Sequence, residues 1–287
     1  MNKSKELVKA ICSFDFKGQD NESLINLNAL ISRAVLENRP INLISFTCST
    51  INPAMMFSDK PWLYVRTNTD NNNLTPDISR LEEVIGVLKK IYPKINLKII
   101  IGNTDPYYIY LQQFKDYALK EKILWREFIK RWKKYRENFI DWVKSAAPSL
   151  EVEVISWYEY EKKIESRSGR LFIDEYLDFK KNLNQYFTPG QLDWEFKRLQ
   201  TQFNPNTYFY GLRQPGDDIL RDWVNRKFSE YAIQGLWLYE NIENPVLIQN
   251  EKPSDLRSQM YQPAIANKYQ SQLPVVYFFG VDNLGYQ

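Results

Sequence analysis

The chain has 287 residues, 44% of them hydrophobic, the makeup of a globular protein with a substantial core and room for one large α/β domain or two small ones. Lys and Arg (38) exceed Asp and Glu (35) by three, so gripping nucleic acid would take a local patch rather than a global basic field. There is no histidine and there are two cysteines, Cys12 and Cys48, which excludes Ser-His-Asp and Cys-His catalysis, histidine-ligated zinc and, within one chain, a cysteine-ligated zinc site.

Residues 7–37 carry helical spacing of apolar positions, interrupted by Gly18-Gln-Asp-Asn21, which predicts two helices as a lead-in over 1–38. Arg39-Pro40 closes it, and 41–46 reads as a buried strand that breaks into the polar turn 47–52. Residues 53–74, with Pro61 and the polar run 68–73, read as an irregular excursion. Thr75-Pro76-Asp77 supplies an N-cap, a first-turn proline and an acid ahead of Ile78, Leu81, Val84, Ile85 and Leu88 at helical spacing, a predicted helix that Tyr92-Pro93 ends. Residues 95–101 predict a second strand, released into Gly102-Asn103-Thr104-Asp105.

Residues 107–145 have a helical pattern dense in Trp, Phe, Lys and Arg, and 150–157 alternates as a third strand. A helical region follows over about 170–202, broken at Thr188-Pro189-Gly190. After a Pro/Gly loop containing Arg213 comes a further helix over 217–239. Two more apolar strands, 245–249 and 273–279, flank a short helix near 254–260. Strands alternating with helices predict an α/β, Rossmann-like three-layer, mostly parallel sheet, in one domain over 1–287 with a helical insertion at about 160–215.

Candidate functional residues fall where strands end, because parallel sheets bind ligands beyond the carboxyl ends of their strands. Ser49, Thr50 and Asn52 suit an anion or, for Ser49, a nucleophile, and equally suit capping of a following helix. Cys48 reads as a thiolate nucleophile or as a buried structural thiol. Asp105 reads as a general base or amine anchor, or as the start of a turn before Pro106. Beyond the fourth strand, Glu251 and Arg257 are candidates for an amine and a phosphate, or form a surface ion pair. Arg213 is a further anion candidate.

Lys120, Lys122, Arg126, Lys130, Arg131, Lys133, Lys134 and Arg136, interleaved with Trp125, Trp132 and Tyr135, are either a tRNA-binding face or the solvated side of an amphipathic helix. The eight Trp, nineteen Tyr and sixteen Phe read first as core, otherwise as a stacking surface or aromatic pocket. No Gly-rich nucleotide loop follows a strand, and no cofactor or metal is expected. Two cysteines, with no signal-like leader and no apolar run of about 18 residues, predict a cytoplasmic protein away from the membrane.

Arg39-Pro40-Ile41 leading into Phe46-Thr-Cys48-Ser-Thr-Ile-Asn52 resembles the isonitrile (isocyanide) synthase family of the pyoverdine/dityrosine type, where a Pro-Ile strand runs into F-P-C-K-S-P-N. Pro76-Asp77 with Leu81-Glu82 resembles its P-D-x-x-E helix. Ile91-Tyr92-Pro93, the strand after it and Asp105 resemble its Y-x-P-G-A strand ending in S-D-G. Gly169-Arg-Leu-Phe172-Ile-Asp174 resembles its G-F-x-R-F-L-x-x-D segment, and 246–251 stands where that family has R-L-S-I-H-P. Ser49 replaces the lysine of the first turn, and the arginine and histidine of the last motif are absent.

The resemblance implies a Rossmann-like biosynthetic enzyme that converts the amine of an amino acid, with a sugar phosphate supplying the carbon. The first turn also resembles the Ser-x-x-Asn turn of cyclodipeptide synthases, matched by Ser49 and Asn52. That resemblance implies a tRNA-dependent aminoacyl transferase. The later Tyr-x-x-x-Glu of those enzymes is not reproduced, since Tyr231 is followed at that spacing by Gly235. A non-catalytic, partner-binding protein is the third expectation.

Overall fold

A computed structural model describes residues 3–14, 21–47, 75–101, 152–201, 214–248 and 259–276, together with Asp141 and Pro148. In chain order these form α1 (Lys3–Phe14), α2 (Asn21–Leu36), β1 (Ile41–Thr47), α3 (Thr75–Ile91), β2 (Ile95–Ile101), β3 (Val152–Ser156), α4 (Trp157–Ser168), α5 (Phe172–Lys181), a 3-10 turn (Leu183–Gln185), α6 (Pro189–Thr201), α7 (Asp217–Asn241), β4 (Pro245–Ile248), α8 (Pro263–Tyr269) and β5 (Val275–Val276).

The five strands form one all-parallel sheet in the order β3-β2-β1-β4-β5. β1 and β2 bury apolar side chains on both faces, as strands covered from two sides do, although Asn42, Asn96 and Lys98 interrupt the face that carries Ile44 and Ile100. Ile41, Leu43, Ile95, Leu97, Ile99, Val246, Ile248 and Val276 point into a core with α1, α2 and α3. Their alternates Ile44, Ile100, Leu247 and Val275 join a second core built by α4 to α8. The sheet is therefore the middle of three layers. From β1 the chain winds to β2 and β3, then returns past β1 to β4 and β5, and a fixed crossover hand sends the helices of the second half to the opposite face.

Local chemistry sets the joints. Past α2, Asn38 adopts φ 54°, and the Tyr92 hydroxyl, just past α3, donates to Arg39 O at 2.7 Å. Lys94 Nζ donates to Asn38 O at 2.7 Å, and Asn244 Nδ2 donates to Pro40 O at 2.9 Å. Arg39-Pro40 and Tyr92-Pro93 thus tie together the amino-end rim of the sheet, which accounts structurally for two of the segments that carried the family resemblance.

Two expectations are corrected. The third strand ends at Ser156 rather than residue 157, because Ser156 and Glu159 form a reciprocal capping box that starts α4, whose Ser-x-x-Glu signature stands in the sequence. Thr188-Pro189-Gly190 is a helix start rather than only a break. Gln191 N donates to Thr188 Oγ1 at 3.3 Å and Thr188 N donates to Gln191 Oε1 at 2.9 Å. Between the last two strands the expected helix near 254–260 is helical over its described part, Gln259 and Met260, with residues 254–258 outside the described residues, and a further helix, α8, follows it.

Within α5 and the turn before it, Gly169 is the left-handed C-cap of α4, at φ 70°. Arg170 holds Glu175 through Nε at 2.5 Å and Nη2 at 2.7 Å and also pairs with Glu240 of α7. Phe172 packs edge-on against Trp237 at 5.2 Å. The Gly169-Arg170-x-Phe172 segment accordingly fastens α4, α5 and α7 to one another.

Candidate active site at the carboxyl rim

In the β1–β2 pair, Thr47 is opposite Ile101; in β2–β3, Ile101 is opposite Ser156; in β1–β4, Ser45 is opposite Ile248. Four strands therefore release the chain on one rim, and the winding direction reverses between β1 and β4. In open α/β sheets that reversal opens the crevice in which ligands bind.

The sequence-predicted site residues follow these exits: Cys48, Ser49 and Asn52 after β1, Asp105 after β2, Glu251 and Arg257 after β4. Arg213 precedes α7. All seven lie outside the described residues, as do the basic positions of 120–136. The described structure brings together the strand ends from which they continue.

Sequence reasoning passed over several polar side chains that the fold buries. Glu195 on α6 is fully buried. Its Oε1 accepts from Lys227 Nζ of α7 at 2.7 Å and from Arg198 Nη2 at 2.6 Å, and its Oε2 accepts from Arg198 Nε at 2.6 Å. Burial alone would push Glu195 up, but the two cations outweigh it and hold the carboxyl well below the usual carboxylate range. This triad fastens α6 to α7.

Along α7, Lys227, Glu230, Tyr231 and Gln234 recur at helical spacing and are all buried. Residues 227–238 form an unbroken buried run, which an amphipathicity test cannot assign to one face. The Tyr231 ring meets Tyr261 edge-on at 5.0 Å. Beside them, a Cβ on Gly235 would stand 2.1 Å from the Tyr261 carbonyl oxygen. Backbone thus presses on backbone, and only glycine fits.

On α4, Glu161 Oε2 accepts from Trp157 Nε1 at 3.1 Å. Burial pushes the Glu161 carboxyl up to about 7, against the pull of Lys162 and with some help from Glu165. A carboxyl titrating near neutrality suits proton transfer. β3, which leads into α4, is however the sheet edge, two strands from β1 and so about 10 Å from the crevice at ordinary strand spacing.

A separate cleft of about 620 Å³ runs between the 3-10 turn and α8. Amides line it, from Gln185, Gln191, Gln259, Gln262, Asn267 and Gln272, and among the described residues no charged side chain joins them. Among the described residues no helix is long and apolar enough to cross a membrane.

These features define an α/β protein of the Rossmann-like class, with a five-stranded all-parallel sheet whose winding reverses between β1 and β4. Compared with known proteins, the chain matches no family model and no curated protein in sequence.

Proposed function

We propose that this chain is a biosynthetic enzyme that modifies the amine of an amino acid or similar small substrate at the carboxyl rim. The observation that carries the reading is the parallel register of β1 with β2 and β4, which starts the segments bearing Ser49, Asn52, Asp105 and Glu251 from neighbouring points on one rim. In this reading Asn52 and Ser49 orient the substrate by hydrogen bonds, and Glu251 pairs with its ammonium. Asp105 takes the ammonium proton, which frees the nitrogen lone pair to attack the carbonyl carbon of a sugar phosphate. Arg257 or Arg213 neutralises the phosphate.

The test is untargeted mass spectrometry of small molecules made when the gene is expressed in a host. A new product bearing a modified amine is expected, and Asp105→Asn and Asn52→Ala are each expected to lower its yield by about 100-fold or more. Unchanged yield in both variants would refute the assignment.

A second reading is favoured by the position of Ser49-x-x-Asn52 directly after the central strand β1: a tRNA-dependent aminoacyl transferase with Ser49 as nucleophile. A cyclic dipeptide in the same experiment, with an acyl adduct on Ser49 and salt-sensitive co-purification of tRNA, would replace the first reading with this one.

A further inference from the structure

The amide-lined cleft between the 3-10 turn and α8 stands open to solvent. Of its lining, Gln185, Gln259 and Asn267 are exposed, and Tyr186, Gln191, Gln262 and Gln272 are half-buried. A ligand therefore reaches it without any movement of the fold. Its volume of about 620 Å³ falls within the roughly 300–1,000 Å³ of small-molecule pockets.

Part of the lining is held in place from behind. Gln262 Nε2 donates to Leu273 O at 3.0 Å, and its Oε1 accepts from Leu273 N at 2.9 Å. Gln191 Oε1 accepts from Thr188 N at 2.9 Å, and the Tyr186 ring stacks on Phe179 at 4.4 Å. The remainder is uncommitted. The amides of Gln259, Asn267 and Gln272, the Gln191 Nε2 and the Tyr186 hydroxyl have no hydrogen-bond partner among the described residues. Donors and acceptors thus line a preformed cleft, which loses less freedom on binding than a mobile one.

What the lining lacks is equally selective. Charged residues make up 25% of the chain, yet among the described residues none lines this cleft. A phosphate or carboxylate entering it would give up water and meet no cation. An amphipathic helix would need an apolar groove instead. A neutral polyol fits, because each hydroxyl, like each carboxamide, both donates and accepts, and the C–H face of a sugar ring packs against an aromatic face such as that of Tyr186.

We infer that this cleft is a binding site for a neutral saccharide, with the Tyr186 ring against the sugar and Gln259, Asn267 and Gln272 on its hydroxyls. None of these residues takes part in the chemistry proposed for the carboxyl rim, which could fail with this site intact.

The experiment titrates the full chain by calorimetry, at millimolar concentration, with neutral mono- to tetrasaccharides of glucose, galactose, mannose, xylose and N-acetylglucosamine. The phosphate and uronate forms of the same sugars, and an uncharged tripeptide blocked at both ends, are run beside them. The wild type is expected to bind at least one neutral saccharide and to bind its anionic form more weakly. Asn267→Ala and Gln272→Ala are each expected to weaken binding about fivefold, and Tyr186→Leu about tenfold. Ala266→Trp, at an exposed position of α8 that lines the cleft, is expected to fill it and abolish binding. Asn184→Ala, an exposed amide outside the lining, is expected to bind as the wild type does. Because Ala266 and Asn267 are exposed, their variants are expected to melt within about 2 °C of the wild type, and they decide the matter even where Tyr186→Leu fails to fold.

The absence of binding by every neutral saccharide would overturn the inference. So would tighter binding of an anionic form or of the tripeptide, or saccharide binding that survives Ala266→Trp. Each of these results leaves the modified-amine product expected of the carboxyl rim, and with it the proposed function, untouched.

Discussion

At the scale of single residues, two carboxyls, the half-buried Glu161 and the fully buried Glu195, respond to pH in opposite directions. Glu161, pushed up from an ordinary 4.5 to about 7 by burial, binds its proton more tightly in the folded chain than in the unfolded one. Its contribution is therefore most favourable below about 4.5, declines as pH rises toward 7, and is level above that. Glu195, held down by Arg198 and Lys227, does the reverse: its stabilisation is present above about 4.5 and is lost as pH falls below that value. Glu161→Gln is expected to remove the decline between pH 4.5 and 7 and to raise stability at pH 8 by about 2–3 kcal/mol. Glu195→Gln is expected to cost about 3–5 kcal/mol at pH 7, because it leaves two cations facing a neutral amide. Urea unfolding from pH 4 to 8 reads both; a Glu161→Gln profile parallel to wild type would show that this carboxyl is ordinary. Neither behaviour was legible in the sequence, where Glu161 and Glu195 look like solvated helix acids, since what covers them comes from Trp157 one turn back and from α7.

At the scale of elements, local signals were strong where the residue itself dictates conformation. Thr75-Pro76-Asp77 and the spacing to Leu88 announced α3, and the β-branched run at 95–101 announced β2 with the observed bounds. The ends were less legible where two local signals competed. Trp157 continues the alternation of β3, but the cap formed by Ser156 with Glu159 wins and turns it into the first residue of α4. Glycines separate the local from the tertiary most cleanly. Gly86, exposed on α3 with nothing within 4 Å of a Cβ, is expected to gain about 0.5–1 kcal/mol on change to alanine, from helix propensity alone. The same change at Gly235, on a helix with the same local preference, drives a methyl into the Tyr261 carbonyl and is expected to cost about 2–4 kcal/mol. Thermal unfolding of the two variants checks the contrast. Equal effects would mean that α7 and the segment at Tyr261 are further apart than described.

At the scale of the whole molecule, the sequence disclosed that strands and helices alternate but not the order in which the strands lie, which is decided by crossovers spanning tens of residues. The sequence offered the candidate site only as a set of strand exits; that those exits belong to one rim is a property of the register. That property can be tested without knowing the substrate. Thr47 and Ile101 are register partners on adjacent parallel strands, about 4.8 Å apart by ordinary sheet spacing, within the roughly 4.4–6.8 Å that a disulfide spans between Cα atoms. In a background of Cys12→Ala and Cys48→Ala, the pair Thr47→Cys and Ile101→Cys is expected to close on mild oxidation, read as the loss of two hydrogens in the intact mass. Thr47→Cys with Ile95→Cys pairs the carboxyl end of β1 with the amino end of β2, roughly 20 Å apart at about 3.3 Å per residue, and is expected to stay reduced. Were the second pair to close, or the first to stay open, β1 and β2 would not end together, and Asp105 could not act on a substrate held by Ser49 and Asn52.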